Sequence, residues 1–139
     1  MAKLPLSVVV ITKNEENNIG DCLKSVFDWV DEIVVVDDES KDRTVAIAGE
    51  FASKVYHRKM DNEGKHRNWA YAQAANEWVL SLDADEMVSP ELRDELMATL
   101  PDTKFHAFSI PLRNFIGKYW VKHSGWYPAG KLRLFMKKP

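Results

Sequence analysis

The sequence predicts an α/β fold on a mainly parallel sheet, with a β-ribbon at the C-terminal end. Three observations lead there. Apolar, β-branched runs at residues 6–11 (LSVVVI), 32–36 (EIVVV) and 77–82 (EWVLSL) each end in a polar cluster, as strands buried on both faces of a parallel sheet do. The segments between them place apolar residues at helical spacing, so strands alternate with helices, which implies right-handed βαβ crossovers. From Lys104 the pattern changes to extended, aromatic-rich chain.

The first strand, 6–11, stops at Thr12-Lys13-Asn14-Glu15. Ile19, Cys22, Leu23, Val26, Phe27 and Val30 then recur every three or four residues on one helical face, with Asn17 or Asn18 able to cap its start. The second strand ends in Asp37-Asp38-Glu39-Ser40, and Val45, Ala48, Phe51 and Ala52 give a second helical face. Residues 54–57 read as a short third strand and 59–64 as a polar loop. Trp69, Ala72, Gln73 and Asn76 mark a third helix, and the fourth strand, 77–82, runs into Asp83-Ala84-Asp85-Glu86. Ser89-Pro90-Glu91 combines a cap, a proline at the first helical position and an early acid, so a helix is expected over 90–100, ended by Pro101. Phe105, Phe108, Ile110 and Leu112 lie in an extended stretch broken near Gly117 and Gly125, with a last short strand at 131–136. We expect residues 1–102 to form an α/β core and residues 103–139 to begin a ribbon of the same domain.

Composition sets the outer limits. At 139 residues, 45% apolar and 29% charged, the chain is one globular domain, large enough to hold a core without disulfides. Its single cysteine, Cys22, has no internal partner and reads as a small hydrophobe on a buried stripe. No run approaches a membrane span, and no apolar stretch follows Met1 as a secretory signal would require. The expected location is therefore the cytoplasm. The net charge of −2 conceals an asymmetry: residues 1–102 carry all 21 Asp and Glu against 11 Lys and Arg, whereas 103–139 carry 8 Lys and Arg and no carboxylate. That basic part also holds 8 aromatics. The mixture suits phosphates, sugars or an anionic membrane surface, or equally a ribbon whose rings pack on the sheet while its lysines are solvated.

Ligands of open α/β sheets bind at the carboxyl ends of strands, where the clusters at 12–15, 37–40 and 83–86 all fall. So many like charges at one rim require donors or a cation to balance them. The first strand is not followed by GxGxxG, and no GxxxxGK[ST] loop exists around Gly64-Lys65, so both phosphate-loop modes fail. An Asp-x-Asp pair holding a divalent ion is the other way to grip a diphosphate.

Residues 7–16 (SVVVITKNEE), 33–40 (IVVVDDES) and 78–86 (WVLSLDADE) resemble, in order and spacing, the motifs of family 2 glycosyltransferases with the GT-A fold. Within that family the chain looks most like bacterial enzymes that transfer hexoses in lipopolysaccharide core or surface-glycan assembly, and its tail GWYPAGKLRLF is similar too. The resemblance implies that Thr12, Asn14 and Glu15 contact the nucleoside. It also implies that Asp37 and Asp38 bond base and ribose, with Asp38 the preferred base contact. Asp83, Ala84 and Asp85 match the DxD motif, whose second carboxylate would ligate Mg2+ or Mn2+, with Asp83 beside it. Lys65 and Arg67 sit where the family places a basic donor contact.

Ordinary structural roles compete for some of these residues. Glu15 reads equally as an exposed acid near a helix start, and Lys65 and Arg67 as solvated helix-start charges. Glu86 caps or braces the metal loop as readily as it binds. Trp29, Trp69 and Trp78 fit core faces, and His57, His66, His106 and His123 lack partners at metal-ligand spacing and are assigned no role.

The expected function is metal-dependent, inverting transfer of a hexose from a nucleoside-diphosphate sugar, a UDP-sugar in the first instance, to a glycan or glycolipid acceptor. Peripheral contact with the inner face of the cytoplasmic membrane is expected, and no nucleic-acid partner. No catalytic base is identified: the family places that carboxylate well after the DxD motif, and no Asp or Glu follows Asp102. With a length short for a complete GT-A enzyme, this implies a truncated, weakly active chain. The alternative is a non-catalytic nucleotide or nucleotide-sugar binding domain. A receiver-type signalling domain fits less well, because its acidic pair should follow the first strand.

Overall fold

The computed structural model describes residues 3–109, 113–116, 119–122 and 132–137. Its main sheet has six strands in the order β3-β2-β1-β4-β8-β5. Here β1 is Leu4–Thr12, β2 Val30–Asp37, β3 Lys54–His57, β4 Trp78–Asp83, β5 Ala107–Ser109 and β8 Leu132–Met136. β1, β2, β3 and β4 are parallel, and β8 lies antiparallel between β4 and β5. The fold is the mainly parallel α/β sheet expected from the sequence. β6 (Arg113–Ile116) and β7 (Tyr119–Lys122) pair antiparallel as a separate two-stranded ribbon. The expected breaks at Gly117 and Gly125, and Ile110 and Leu112, lie outside the described residues.

Strand alternation divides the core. Leu6, Val8 and Val10 of β1, Ile33 and Val35 of β2, Leu80 and Leu82 of β4 and Leu134 of β8 face one side. They pack there against α1 (Ile19–Lys24), α2 (Thr44–Ala48) and α4 (Pro90–Thr99) through residues such as Cys22, Leu23, Ala48 and Leu96. Val9, Val34, Val36 and Val79 face the other side, under Ala70 and Ala74 at the end of α3 (Glu63–Ala72). Ser89 caps α4, its hydroxyl accepting from Leu92 N–H at 3.1 Å, with Pro90 at the first position, as the sequence foretold.

Three local expectations are corrected. The helix read through to Val30 ends at Lys24. The Ser25 carbonyl, which would continue the ladder, instead accepts from the Trp29 indole N–H at 2.8 Å, and the Ser25 hydroxyl accepts from Val88 N–H at 3.0 Å. This competition ends the helix; Trp29 is fully buried, whereas Phe27 is exposed. α3 begins at Glu63, inside the stretch read as loop, because the Asn62 side chain caps it by accepting from Lys65 N–H. Its buried face is His66 and Ala70, while Ala72 is exposed. Finally, the strand expected as part of an appended ribbon is inserted in the main sheet beside β4, with Leu80 opposite Leu134. Trp69 and Trp78 are half-buried, in ring contact with Tyr56 and Phe108 respectively.

Candidate functional site

β1 lies between β2 and β4, so the chain's route across the sheet reverses beside β1 and opens a crevice at the carboxyl ends of these strands. The three polar clusters meet there. Thr12 pairs in register with Asp37, and Ile11 with Asp83.

The loops after β1 and β2 are locked together. Buried Asp37 accepts from Ser40 N–H at 2.9 Å and from the Ser40 hydroxyl at 2.5 Å, and the Ser40 oxygen accepts from Asn14 N–H at 2.8 Å. The Asn14 side-chain Oδ1 in turn accepts from Lys41 N–H at 2.8 Å, and Glu15 N–H donates to the Thr44 hydroxyl at 2.8 Å. Both loops turn through the left-handed region, at Asn14 (φ 52°) and Glu39 (φ 54°). Asparagine tolerates that conformation, whereas at glutamate it is a strain held by the surrounding bonds. Asp38 is 8% exposed; its N–H donates to Thr12 O at 2.9 Å and its Oδ1 accepts from Met60 N–H at 3.0 Å. Asp37 and Asp38 thus differ in their work: the first ties two loops, and the second is pinned to a third. The Thr12 hydroxyl is buried without a hydrogen-bond partner among the described residues.

Arg58 links this rim to α3, donating to Asp61 at 3.1 Å and lying 2.8 Å from His66 Nδ1. An arginine can only donate, so Nδ1 accepts and the ring proton sits on Nε2, which is buried and has no hydrogen-bond partner among the described residues. Burial, then the Arg58 charge, pushes the His66 pKa below its ordinary value, which keeps the ring neutral.

At the end of β4, Asp83 Oδ1 lies 3.2 Å from Arg67 Nη2 and Oδ2 lies 3.7 Å from Arg133 Nη2. Burial opposes the Arg67 charge, but the Asp83 carboxylate and Tyr71 together outweigh it and raise the Arg67 pKa. Glu86 closes the turn, accepting from Asp83 N–H at 2.7 Å while its own N–H donates to Asp83 O at 2.9 Å. Burial pushes the Glu86 pKa up even against the pull of Arg133, whose Nη1 donates to it at 2.6 Å. Beneath the turn, burial and then the nearby carboxylates raise the Cys22 thiol pKa well above its usual range. Ala84 is buried and Asp85 exposed, so Asp85 presents its carboxylate outward at the crest of the turn. Lys65 is exposed at the start of α3.

Mg2+ is typically held by one or two carboxylates plus phosphate and water. An outward Asp85 backed by an arginine-held Asp83 fits that donor set, and no group of three metal-binding side chains occurs among the described residues. Residues 7–139 match Glycosyl transferase family 2. The chain belongs to glycosyltransferase family 2. An uncharacterized glycosyltransferase of Rickettsia felis is 38% identical over 110 residues, covering 77% of this chain and 39% of that protein. The lipopolysaccharide core biosynthesis glycosyltransferase LpsC of Rhizobium meliloti is 31% identical over 99 residues, covering 68% and 36%. The mannosyltransferase PcManGT of Pyrobaculum calidifontis, solved with GDP-Man and Mn2+, superposes with a TM-score of 0.64 at 26% identity, covering 81% of this chain and 36% of that one. The chain therefore spans well under half the length of these family members.

Within the family 2 frame, the structure adds residues that the motifs did not single out. Ser40 and Thr44 join the loops, and half-buried Arg58 pairs with buried His66 at the rim. Arg133 is only 4% exposed. One signal for it was available: a lone arginine between Leu132 and Leu134 puts a charge on an apolar strand, and a buried charge demands a partner. For His66 there was none, because its partner Arg58 comes from a loop on the far side of Asn62.

Proposed function

We propose that the chain binds a nucleoside-diphosphate sugar across the carboxyl ends of β1, β2 and β4 and serves transfer of a hexose to a glycan or glycolipid acceptor. The observation that carries this reading is the placement of β1 between β2 and β4, which sets the acidic ends of β2 and β4 on either side of the β1 loop. Asp38 would take the base, with Thr12, Asn14, Glu15 and Asp37 shaping the nucleoside side, and Lys65 and Arg67 would lie toward the diphosphate. Asp85, backed by Asp83, would hold Mg2+ or Mn2+. Such a cation neutralises charge on the departing diphosphate.

In an inverting transfer the acceptor hydroxyl forms a new bond to the anomeric carbon as the bond to the diphosphate breaks, and the hydroxyl proton passes to a base. The GDP-Man and Mn2+ bound to PcManGT support a nucleotide-sugar donor and a divalent cation. The name of LpsC supports a place in lipopolysaccharide or surface-glycan synthesis. The basic, aromatic residues 103–139 would meet a phosphorylated acceptor or the anionic inner face of a membrane; no helix among the described residues is long and apolar enough to cross one.

The test is calorimetric titration of UDP and GDP with and without Mn2+. Asp85→Ala should abolish the Mn2+-dependent part of the affinity and leave metal-free binding little changed. Equal metal dependence in variant and parent would remove Asp85 from the metal site.

A further inference from the structure

The carboxylate cluster at the end of β4 receives its counter-charge from two elements, α3 through Arg67 and β8 through Arg133. The two contributions differ. Arg67 is a quarter exposed and shared with Glu63, whereas Arg133 is buried on a strand flanked by Leu132 and Leu134. Where packing alone is at stake, a hydrophobe at such a position is as good as a buried ion pair or better. Strand alternation sets Arg133 opposite the Leu134 face, on the α3 side, the side to which Ser81 and Asp83 also point.

Arg133 Nη1 donates to the Ser81 carbonyl at 3.3 Å and to Glu86 Oε1 at 2.6 Å. That same Glu86 oxygen accepts the Asp83 N–H. One guanidinium thus ties the strand before the turn to the side chain that closes the turn. Ala84 is buried inside it and Asp85 stands at its crest, so the position of Asp85 is fixed by the closure.

We propose that Arg133 is the positioning residue of the 83–86 turn, the group from β8 that holds Asp85 where a metal-bound diphosphate would meet it; this rests on the nucleotide-sugar reading above. Arg133 touches neither substrate nor metal in this role. Outer residues that orient metal ligands typically change metal affinity by about 10–100-fold when removed.

Arg133→Met should therefore lower the Mn2+-dependent part of UDP or GDP affinity by about tenfold or more, with metal-free binding changed less than about twofold. Arg133→Lys, which keeps the charge but not the fork, should recover part of the loss. Amide hydrogen exchange supplies a readout independent of ligand. Exchange at Asp83 and Glu86 should accelerate about tenfold or more in Arg133→Met while amides of β1 and β2 keep their protection.

If Arg133→Met fails to fold because Glu86 is left unpaired, Arg133→Met with Glu86→Gln removes that charge and is measured in its place. Parent-like Mn2+ dependence, or parent-like exchange at both amides, in a folded Arg133 variant would overturn the proposal. A parent chain that binds neither nucleotide, with or without Mn2+, would refute the functional reading instead, and the exchange result would then decide the positioning role alone.

Discussion

Replacing Asp37 by asparagine tests the loop lock that frames the candidate nucleotide site. The substitution keeps size and shape but puts an amide N–H2 where one carboxylate oxygen accepted. Of the two bonds from Ser40, at 2.9 and 2.5 Å, that from Ser40 N–H persists as a neutral bond to the amide oxygen, and the hydroxyl turns over to accept from the new N–H2. Each bond to the charged group contributes about 1.5–3 kcal/mol, and a neutral one about 1, so exchanging two charged bonds for two neutral ones loses about 1–4 kcal/mol. A domain of this size loses roughly 3–4 °C in Tm per kcal/mol, so Asp37→Asn should melt roughly 3–16 °C below the parent by circular dichroism. Ser40→Ala should also destabilise, because it removes the acceptor of Asn14 N–H. The double variant should fall short of additivity by about 1 kcal/mol. An asparagine variant melting within about 2 °C of the parent, or strict additivity with Ser40→Ala, would show that the two loops are not held through this carboxylate.

The remaining predictions span site, stability and surface. Asp38→Asn should weaken uridine and guanosine diphosphate binding more than adenosine diphosphate binding, since a fixed carboxylate accepts an imide N–H that adenine lacks; calorimetry showing a uniform loss would assign Asp38 to ribose or to structure alone. Burial favours a raised Glu32 pKa, but bonds from Ala75 N–H, the Ser7 hydroxyl and Lys54 outweigh it and hold the carboxyl below 4.5. Its contribution to stability is therefore present above pH 4.5 and lost as pH falls through the lower folded value. Glu32→Gln should cost about 1–3 kcal/mol at pH 7, and its denaturation midpoint should converge on the parent's in acid; a gap independent of pH would contradict this. Anionic vesicles should co-sediment the chain at low salt and release it as ionic strength rises toward about 0.5 M. Indifference to vesicles at every salt concentration would refute the membrane-facing reading of residues 103–139.

How much of this was legible in the sequence depended on how local each signal was. β1, β2 and β4 are buried on both faces, so their apolar runs were visible without any partner, and their acidic ends followed directly. α3 hid its inner face because that face is made of His66 and Ala70, too polar and too small to register as a stripe. α1 was overextended because Val26 is buried from a turn and Val30 from the start of β2, where burial mimics periodicity. The place of β8 had no local signal at all: six residues read as a strand say nothing of which strands they separate. The acidic pairs were legible as clusters at strand ends, whereas the bonds that divide their roles were not, since these depend on Ser40, Met60, Arg67 and Arg133, which come from elsewhere in the chain.

The insertion of β8 beside β4 also has a consequence for the order of folding. The four parallel strands are complete once residue 83 has been made, but the free flank of β4 gains its neighbour only when the last described strand arrives. During synthesis that flank is an apolar edge with open N–H and C=O groups, a template for pairing with another chain. Leu134, Phe135 and Met136 of β8 then pair with Leu80, Val79 and Trp78 and cover that flank. Closing the sheet is thus also the step that takes the nascent chain out of danger of aggregation.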